Sequence, residues 1–346
     1  MKISQESIFF SAIRSFFTAA FAVIGILAGS IPLFLLLSAL LRVPSNDIPP
    51  SNAPIVLPDA NERRESLDAK TPLILQLNIQ GVIGSKTLNS DLIRKKLQES
   101  QEGILSEERI RGILLIINSP GGAVNDSDCI YRAIKNYKEQ YKVPVYAYID
   151  GLCASGGMYI ASSADKIYSS EISLVGSVGV MMQFINLSQA MEKIGVESKT
   201  LVRGKSKDAM NPLRPWRLEE DKSYQALMEF FYNRFVDIVT SSRPNVDRKK
   251  LIEEYGAKLF SSVEAEKIGL IDAFGYERNH ALEKLAEAAG ISEQGYQVIE
   301  LQTKHWWLSE MLDARSPIFT GKLTHELQPP FELNKFANCF LYLYAP

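Results

Sequence analysis

Two consecutive apolar runs, each followed by a pair of glycines, constrain the fold of this chain most strongly. Residues 113–117 precede Gly121-Gly122, and residues 143–149 precede Gly156-Gly157. Short unbroken apolar runs are typical of strands that are buried on both faces of a parallel sheet. Helix-compatible segments follow both glycine pairs, so the pattern predicts βαβ units in a layered α/β domain. Neighbouring parallel strands place the loops at their carboxyl ends side by side, and we therefore expect the two glycine turns to meet.

The second glycine pair directly follows a serine, Ser155. A serine at a strand-to-helix turn is exposed beside free backbone N–H groups, which suits a nucleophile that attacks a carbonyl. The N–H groups of Gly156 and of the Gly122 region would then stabilise the oxyanion. A glycine-rich turn that only connects a strand to a helix is the alternative. Cys153 is a second candidate nucleophile, but the glycine turn follows the serine and not the cysteine.

The general base is harder to assign from the sequence. All of the histidines (His280, His305 and His325) come far after Ser155 and lie in no recognisable motif, which gives a Ser-His-Asp triad weak support. A Ser-Lys pair needs a lysine that burial keeps neutral, so that its amine can accept the serine proton. Chemistry alone leaves several lysines open as this base: Lys166, Lys193, Lys199, Lys205 and Lys207.

Composition excludes several other classes of function. The net charge of the 346 residues is −2, and basic residues do not alternate with aromatic ones, so no nucleic-acid partner is expected. The three cysteines form no CxxC motif, which disfavours both a disulfide framework and a zinc site.

The amino-terminal region predicts a membrane anchor. Residues 1–15 form a short amino-terminal segment. Residues 16–41 contain no charged residue, and this stretch is long enough for a transmembrane helix that is retained in the mature protein. Basic residues before this span weakly favour a cytoplasmic amino terminus, with the bulk of the chain outside the cytoplasm. Residues 42–71 are predicted to be a linker, and residues 72–301 the globular domain. The aromatic tail, residues 302–346, is expected to pack on its own domain, on a partner or on a membrane surface.

Four motifs in this order and spacing resemble the signal peptide peptidase A family of membrane-anchored serine peptidases, which have a ClpP/crotonase-like fold. The resemblance covers about residues 72–290. The segment 259–272 also resembles the closing element of the family. The motifs are Ile117-Asn118-Ser119-Pro120-Gly121-Gly122, Ala154-Ser155-Gly156-Gly157-Met158-Tyr159-Ile160-Ala161, Gly176-Ser177-Val178-Gly179-Val180 and Gly204-Lys205-Ser206-Lys207-Asp208.

This resemblance implies a role for each candidate residue. Ser155 would be the nucleophile and Lys207 the general base, with Lys205 as the alternative base. Gly122 and Gly156 would donate their N–H groups to the oxyanion, and Ser177 would orient the lysine amine. Neither a metal nor another cofactor is implied. Short members of the family complete their sites in a homo-oligomeric ring, so Lys207 could act within one chain or on a neighbouring chain.

The sequence thus predicts a membrane-anchored serine endopeptidase that hydrolyses membrane-associated peptides, such as cleaved signal peptides. We expect a single-pass protein of the cell (inner) membrane, whose partners are the lipid bilayer, peptide substrates and copies of itself. A crotonase-like acyl-CoA enzyme and a non-catalytic membrane scaffold of the same fold are the alternatives. The membrane span and the Ser-Lys set argue against the first, and the intact Ser155 and Lys207 argue against the second.

Overall fold

A computed structural model describes most of the chain after residue 53. The described residues are 14, 16–21, 25, 30, 54–64, 70–106, 108–292, 295–302 and 341–343. The chain divides into two units, residues 1–53 and residues 54–346. In the described part of the chain, no helix is both long and apolar enough to cross a membrane. Most of the predicted span 16–41 lies outside the described residues, so the anchor stays a prediction.

The strands of the second unit are short except for three that form its centre. In chain order the described strands are β1 (Ile55–Leu57), β2 (Leu73–Gln80), β3 (Ile110–Ser119), β4 (Gly121–Ala123), β5 (Val145–Ala154), β6 (Lys166–Ser169), β7 (Leu174–Gly176), β8 (Leu259–Ser261), β9 (Gln297–Glu300) and β10 (Leu341–Leu343). The long central strands are β2, β3 and β5.

The helices alternate with these strands in the first half and dominate the second half. They are α1 (Ser90–Glu99), α2 (Val124–Tyr141), α3 (Gly156–Ala161), α4 (Ser188–Lys193), α5 (Lys222–Ser242), α6 (Arg248–Lys250), α7 (Ser262–Lys267) and α8 (Arg278–Ala288), with a 3₁₀ turn at Gly103–Leu105 and a π turn at Leu251–Tyr255.

The main sheet has the strand order β1-β9-β2-β3-β5-β7-β8, and β6 pairs with β5 beside β7. Its centre is parallel, from β9 through β2, β3 and β5 to β6 and β7. The outer pairs β1–β9 and β7–β8 are antiparallel. The succession β2-α1-β3 and β3-α2-β5 forms the predicted βαβ units, and the layered α/β architecture is confirmed.

The central strands are buried on both faces, as their unbroken apolar sequence predicts. Along β3, Ile113, Leu115 and Ile117 join the core under α1, α2, α3 and α5, whereas Leu114 and Ile116 join a second core under α8. This alternation follows from the two-residue period of a strand. The Ser155 turn lies on the side of the larger core, because α3 contributes Met158, Tyr159 and Ile160 to it.

One predicted boundary, that of the linker, differs from the structure. Residues 55–57 lie in the predicted linker 42–71, yet they form β1 and pair with β9. Helix α2 begins at Val124, and neither Asp126 nor Ser127 in its first turn caps it with a side chain. Asp126 instead accepts a hydrogen bond of 2.8 Å from the Ser90 N–H at the start of α1.

A buried ion pair joins the end of α5 to the sheet. Arg243 is 6% exposed and its Nη2 lies 2.6 Å from Oδ2 of Asp272. The same carboxylate accepts from the Ile167 N–H at 2.8 Å and pairs with Lys166 at 3.0 Å. Burial alone raises the pKa of Asp272, but the Ile167 N–H and the two cations outweigh it and hold the pKa below its usual range.

We expect Asp272→Asn to lower the free energy of unfolding by about 3 kcal/mol at neutral pH, because it leaves Arg243 buried without its anion. Urea titration measures this difference. The folded-state pKa of Asp272 is depressed, so its contribution is present at neutral pH and is lost as the pH falls through that depressed pKa. The difference in the free energy of unfolding between the wild-type protein and Asp272→Asn should therefore become smaller as the pH falls.

The control variant is Asp237→Asn. Asp237 pairs with Arg248 on the surface, where both side chains are about half exposed, and such pairs contribute about 0.5 kcal/mol. A loss in Asp272→Asn no larger than in this control would show that the buried pair does not hold α5 on the sheet.

Candidate active site

Ser155 occupies a strained turn between β5 and α3. Its backbone has φ 54° and ψ −115°, a conformation that costs a non-glycine residue about 1–3 kcal/mol. Two hydrogen bonds of 2.9 Å hold it there, from the Ser155 N–H to the Gly176 carbonyl and from the Tyr159 N–H to the Ser155 carbonyl. Sharp strand-to-helix turns of this kind present a serine hydroxyl to a substrate. The residue is 1% exposed.

The glycines that follow Ser155 are required by close packing. A Cβ atom at Gly156 would lie 2.6 Å from Oγ of Ser127, and one at Gly157 would lie 3.1 Å from the Ser119 carbonyl oxygen. Helix α3 therefore starts directly against the end of β3 and the first turn of α2. Only residues without a side chain permit this approach.

The Gly121-Gly122 turn lies beside the Ser155 turn, as the sequence predicts. It is fixed by two hydrogen bonds of 2.9 Å, from the Ile83 N–H to the Gly121 carbonyl and from the Ala123 N–H to the Ile83 carbonyl. A Cβ atom at Gly122 would lie 2.0 Å from the Ile83 oxygen. A Cβ atom at Gly121 would lie 2.7 Å from the Gly156 nitrogen. The structure thus brings Gly122, Ser155 and Gly156 together.

A strand from the carboxyl-terminal tail crosses this site. In β10, Leu341, Tyr342 and Leu343 pair antiparallel with Ala123, Gly122 and Gly121 of β4. On its other side, Leu341 exchanges two hydrogen bonds with Met181, of 3.0 and 3.1 Å. Sequence reasoning left the role of residues 302–346 open. The alternation of leucine with aromatic residues at 340–344 is a strand signal that could have suggested β10.

The side chain of Tyr342 fills an aromatic pocket. It is fully buried, with its ring stacked on Tyr159 at 5.0 Å between centroids and tilted against Phe235 at 4.7 Å. Its hydroxyl donates a hydrogen bond of 2.9 Å to the Phe231 carbonyl in α5. Burial raises the pKa of both phenols, Tyr342 and Tyr159, so both remain neutral hydrogen-bond donors.

Ser177 lies next to the nucleophile turn. It is 4% exposed and follows Gly176, whose carbonyl accepts the Ser155 N–H. Its own N–H donates to the Lys258 carbonyl at 2.7 Å, and its φ of 54° is again unusual for a residue with a side chain. The structure therefore places Ser177 within the same group of backbone contacts as Ser155.

The two candidate lysines lie in a different, exposed segment of the chain. Lys205 and Lys207 are exposed in the irregular segment that precedes α5. Next to them, Arg214 pairs with Asp208 at 2.9 Å and with Glu220 at 2.7 Å, and its guanidinium holds the pKa of Asp208 below the usual range. Within the described part of the single chain, no hydrogen bond links Lys207 to Ser155 or Ser177.

Cys153 and His280 are not placed for catalysis at Ser155. Cys153 is fully buried, and burial raises the pKa of its thiol, which disfavours the reactive thiolate. His280 is in α8, the helix that covers the opposite face of the sheet, where its ring contacts Tyr276. His305 and His325 lie outside the described residues.

Comparison with known proteins identifies relatives of the whole region around this site. The model of peptidase family S49 matches residues 137–292, which include Ser155, Ser177 and Lys207. A candidate signal peptide peptidase SppA of Enterococcus faecium is 31% identical over 231 residues, 65% of this chain and 66% of that protein. The chain thus spans just under two thirds of the length of that relative.

This chain covers a larger share of a second relative. The candidate protease slr0021 of Synechocystis is 33% identical over 218 residues, 63% of this chain and 75% of that protein. Among solved structures, the ClpP1 N165D mutant from Listeria monocytogenes aligns with 60% of this chain and 94% of its own, at 17% identity and a TM-score of 0.40. The family model and the two sequence relatives agree on one assignment: this chain belongs to peptidase family S49, the signal peptide peptidase A family of serine peptidases.

Proposed function

We propose that this protein is a membrane-anchored serine endopeptidase that uses Ser155 and Lys207 to hydrolyse membrane-associated peptides, such as cleaved signal peptides. One observation carries the proposal. The strained turn at Ser155 lies beside the backbone of Gly122 and Gly156, and a peptide carbonyl, that of Tyr342, already lies at the same point.

The reaction would proceed through an acyl-enzyme. Oγ of Ser155 attacks the carbonyl carbon of the scissile peptide bond, and the N–H groups of Gly122 and Gly156 stabilise the oxyanion that forms. Each such donor lowers the barrier by about 3 kcal/mol. The amine of the departing peptide takes the proton, and a water molecule then hydrolyses the ester.

The proton transfer is assigned to Lys207, oriented by Ser177. A lysine amine is a base only when it is neutral, and burial is what favours the neutral amine. Lys207 is exposed in the single chain, so we assign it to the Ser155 site of a neighbouring chain, where assembly would bury it. The segment around Lys207 supports assembly, because it exposes several large apolar side chains: Ile185 (65%), Ile194 (74%), Leu201 (86%) and Leu218 (94%).

The substrate class follows from the anchor. A charge-free span at residues 16–41 would hold the peptidase domain near the bilayer, where apolar peptides accumulate. The basic residues before the span favour an extracytoplasmic peptidase domain.

We expect a serine-reactive phosphonate to label Ser155, and Ser155→Ala to lower peptide hydrolysis by at least about 10³-fold because the nucleophile is lost. Peptide mapping of the labelled protein and a fluorogenic peptide assay measure the two effects. Cys153→Ala is the matched control, since it removes the rival nucleophile two residues away, and it should retain activity. Labelling at Cys153, or an inactive Cys153→Ala beside an active Ser155→Ala, would contradict the assignment.

Lys207→Ala should also abolish hydrolysis, whereas Lys205→Ala, two residues away on the same exposed loop, should retain it. The reverse pattern would make Lys205 the base. Because the lysine is assigned to a neighbouring chain, co-assembly of the inactive Ser155→Ala and Lys207→Ala proteins should restore hydrolysis. Mixed assemblies that stay inactive would instead assign Lys207 to the Ser155 site of its own chain.

A further inference from the structure

We propose that Ser119 is a positioning residue for the oxyanion donor at Gly122: its buried hydroxyl holds the Gly121-Gly122 turn in the orientation that aims the Gly122 N–H at the reacting carbonyl. This inference rests on the proposed peptidase function and adds a residue to its site. Ser119 acts through the backbone of the turn and is assigned no contact with the substrate.

The turn needs support because it contains an easily rotated peptide unit. The peptide bond between Gly121 and Gly122 is flanked by two residues without side chains, and glycine adopts positive and negative φ values with little difference in energy. Both residues have positive φ here, 97° and 157°. A half turn of this peptide unit would exchange the directions of its carbonyl and its N–H. The N–H assigned to the oxyanion would then point away from the groove.

Ile83 holds the carbonyl of this peptide unit. The Ile83 N–H donates to the Gly121 carbonyl at 2.9 Å, and the Ile83 carbonyl accepts from the Ala123 N–H at 2.9 Å. Ile83 and Gly122 thus form a parallel β-bridge, in which the N–H and the carbonyl of Gly122 point away from Ile83. On that other side lies the groove, where Tyr342 is the partner of Gly122. The donor faces the groove as long as Ile83 holds the Gly121 carbonyl.

Ser119 holds the preceding peptide unit and ties it to the same segment. Its Oγ accepts a hydrogen bond of 3.1 Å from the Gly121 N–H and donates one of 2.7 Å to the Gly81 carbonyl. Pro120, which lies between Ser119 and Gly121, has a fixed φ and no N–H, so the Gly121 N–H is the first donor of the turn that needs a partner. Ser119 is fully buried, so solvent does not replace these bonds.

Ser119 is also the one side chain through which this junction can be altered. In the described part of the chain, the other hydrogen bonds that join residues 81–83 to residues 118–123 run between backbone groups. They include the bond of 2.9 Å from the Gly81 N–H to the Asn118 carbonyl. A substitution at Ser119 therefore loosens the turn without a change in any backbone donor.

The same two residues pack against the turn that carries the second donor. A Cβ atom on Gly157 would lie 3.1 Å from the Ser119 carbonyl oxygen and 3.5 Å from the Ser119 Cβ. A Cβ atom on Gly156 would lie 3.1 Å from Cδ1 of Ile83. Ser119 and Ile83 thus lie between the two turns, and the spacing of the two oxyanion donors depends on them.

Ser119→Ala tests the role directly, because it removes the partner of the Gly121 N–H and of the Gly81 carbonyl. Complete loss of one oxyanion donor lowers kcat by about 10²–10³-fold. We expect a misaimed donor to lower kcat by about 10- to 100-fold and to leave KM within about twofold, because the donor acts in the transition state. A fluorogenic peptide assay measures both constants.

The matched control is Ser162→Ala. Ser162 is equally buried, but its hydroxyl donates at 2.9 Å to the Met158 carbonyl one turn earlier in the chain. This variant also loses a buried hydroxyl, and it should retain the wild-type kcat. A wild-type kcat in Ser119→Ala, or an equal loss of kcat in Ser162→Ala, would overturn the proposal.

Ser119→Cys is the second variant, for the case in which Ser119→Ala does not fold. The thiol nearly keeps the shape of the hydroxyl but is a weaker hydrogen-bond donor and acceptor. With reducing agent present, kcat should fall by about fivefold and KM should not change. A Ser119→Cys protein with the wild-type kcat would equally refute the positioning role.

A pair of inhibitors separates aim of the donor from general damage to the site. In a peptide aldehyde with the sequence of the fluorogenic substrate, Oγ of Ser155 adds to the aldehyde carbon, the carbonyl electron pair forms the oxyanion, and the serine proton passes to the lysine amine. The corresponding peptide alcohol forms no oxyanion. The ratio of the two inhibition constants should fall in Ser119→Ala by the same factor as kcat. A ratio equal to that of the wild-type protein would contradict the proposal.

The two proposals fail differently. Absence of Ser155-dependent hydrolysis of every peptide would refute the peptidase function itself. Ser155-dependent hydrolysis that is unchanged by substitution of Ser119 would leave that function standing and refute only the positioning role.

Discussion

The parallel pairing of β3 with β5 determines where the site forms. The two strands stay in register from Ile113 to Ile117, but Ser119 then pairs with Cys153, so β5 carries extra residues. Gly151, with φ 107°, accommodates the irregularity, and the Asn118 side chain accepts the Leu152 N–H at 3.3 Å. This bulge extends β5 to Ala154, and Ser155 consequently emerges beside the Gly121-Gly122 turn.

Close backbone packing then converts two loops into one site. Gly121, Gly122 and Gly156 each approach another backbone or side-chain group more closely than any Cβ atom would permit. The strained Ser155 backbone is kept in place because Gly176 binds its N–H and because α3 is anchored in the core by Met158, Tyr159 and Ile160. A well-buried surrounding core can hold one residue in a strained backbone conformation.

The sequence was informative where structure depends on local pattern. Apolar runs predicted β3 and β5, and the position of the glycine pairs predicted that Gly122 and Gly156 would meet. The pairing of β10 with β4 joins residues that are more than two hundred positions apart, and no local pattern specifies such a partner. Lys207 could be chosen as the general base only through the family resemblance. Its segment is exposed, so no pattern of buried residues indicates where it lies relative to Ser155.

The short strand β4 lines this groove mostly with backbone groups. Two of its three residues are glycines, so it offers an approaching peptide backbone groups and almost no side-chain surface. Met181, on the other side of β10, likewise contributes its peptide N–H and carbonyl. Backbone hydrogen bonds of this kind accept any extended sequence, and discrimination must come from side-chain pockets. In the described part of the groove, Tyr159, Phe235 and the Phe231 carbonyl enclose the side chain of Tyr342 completely.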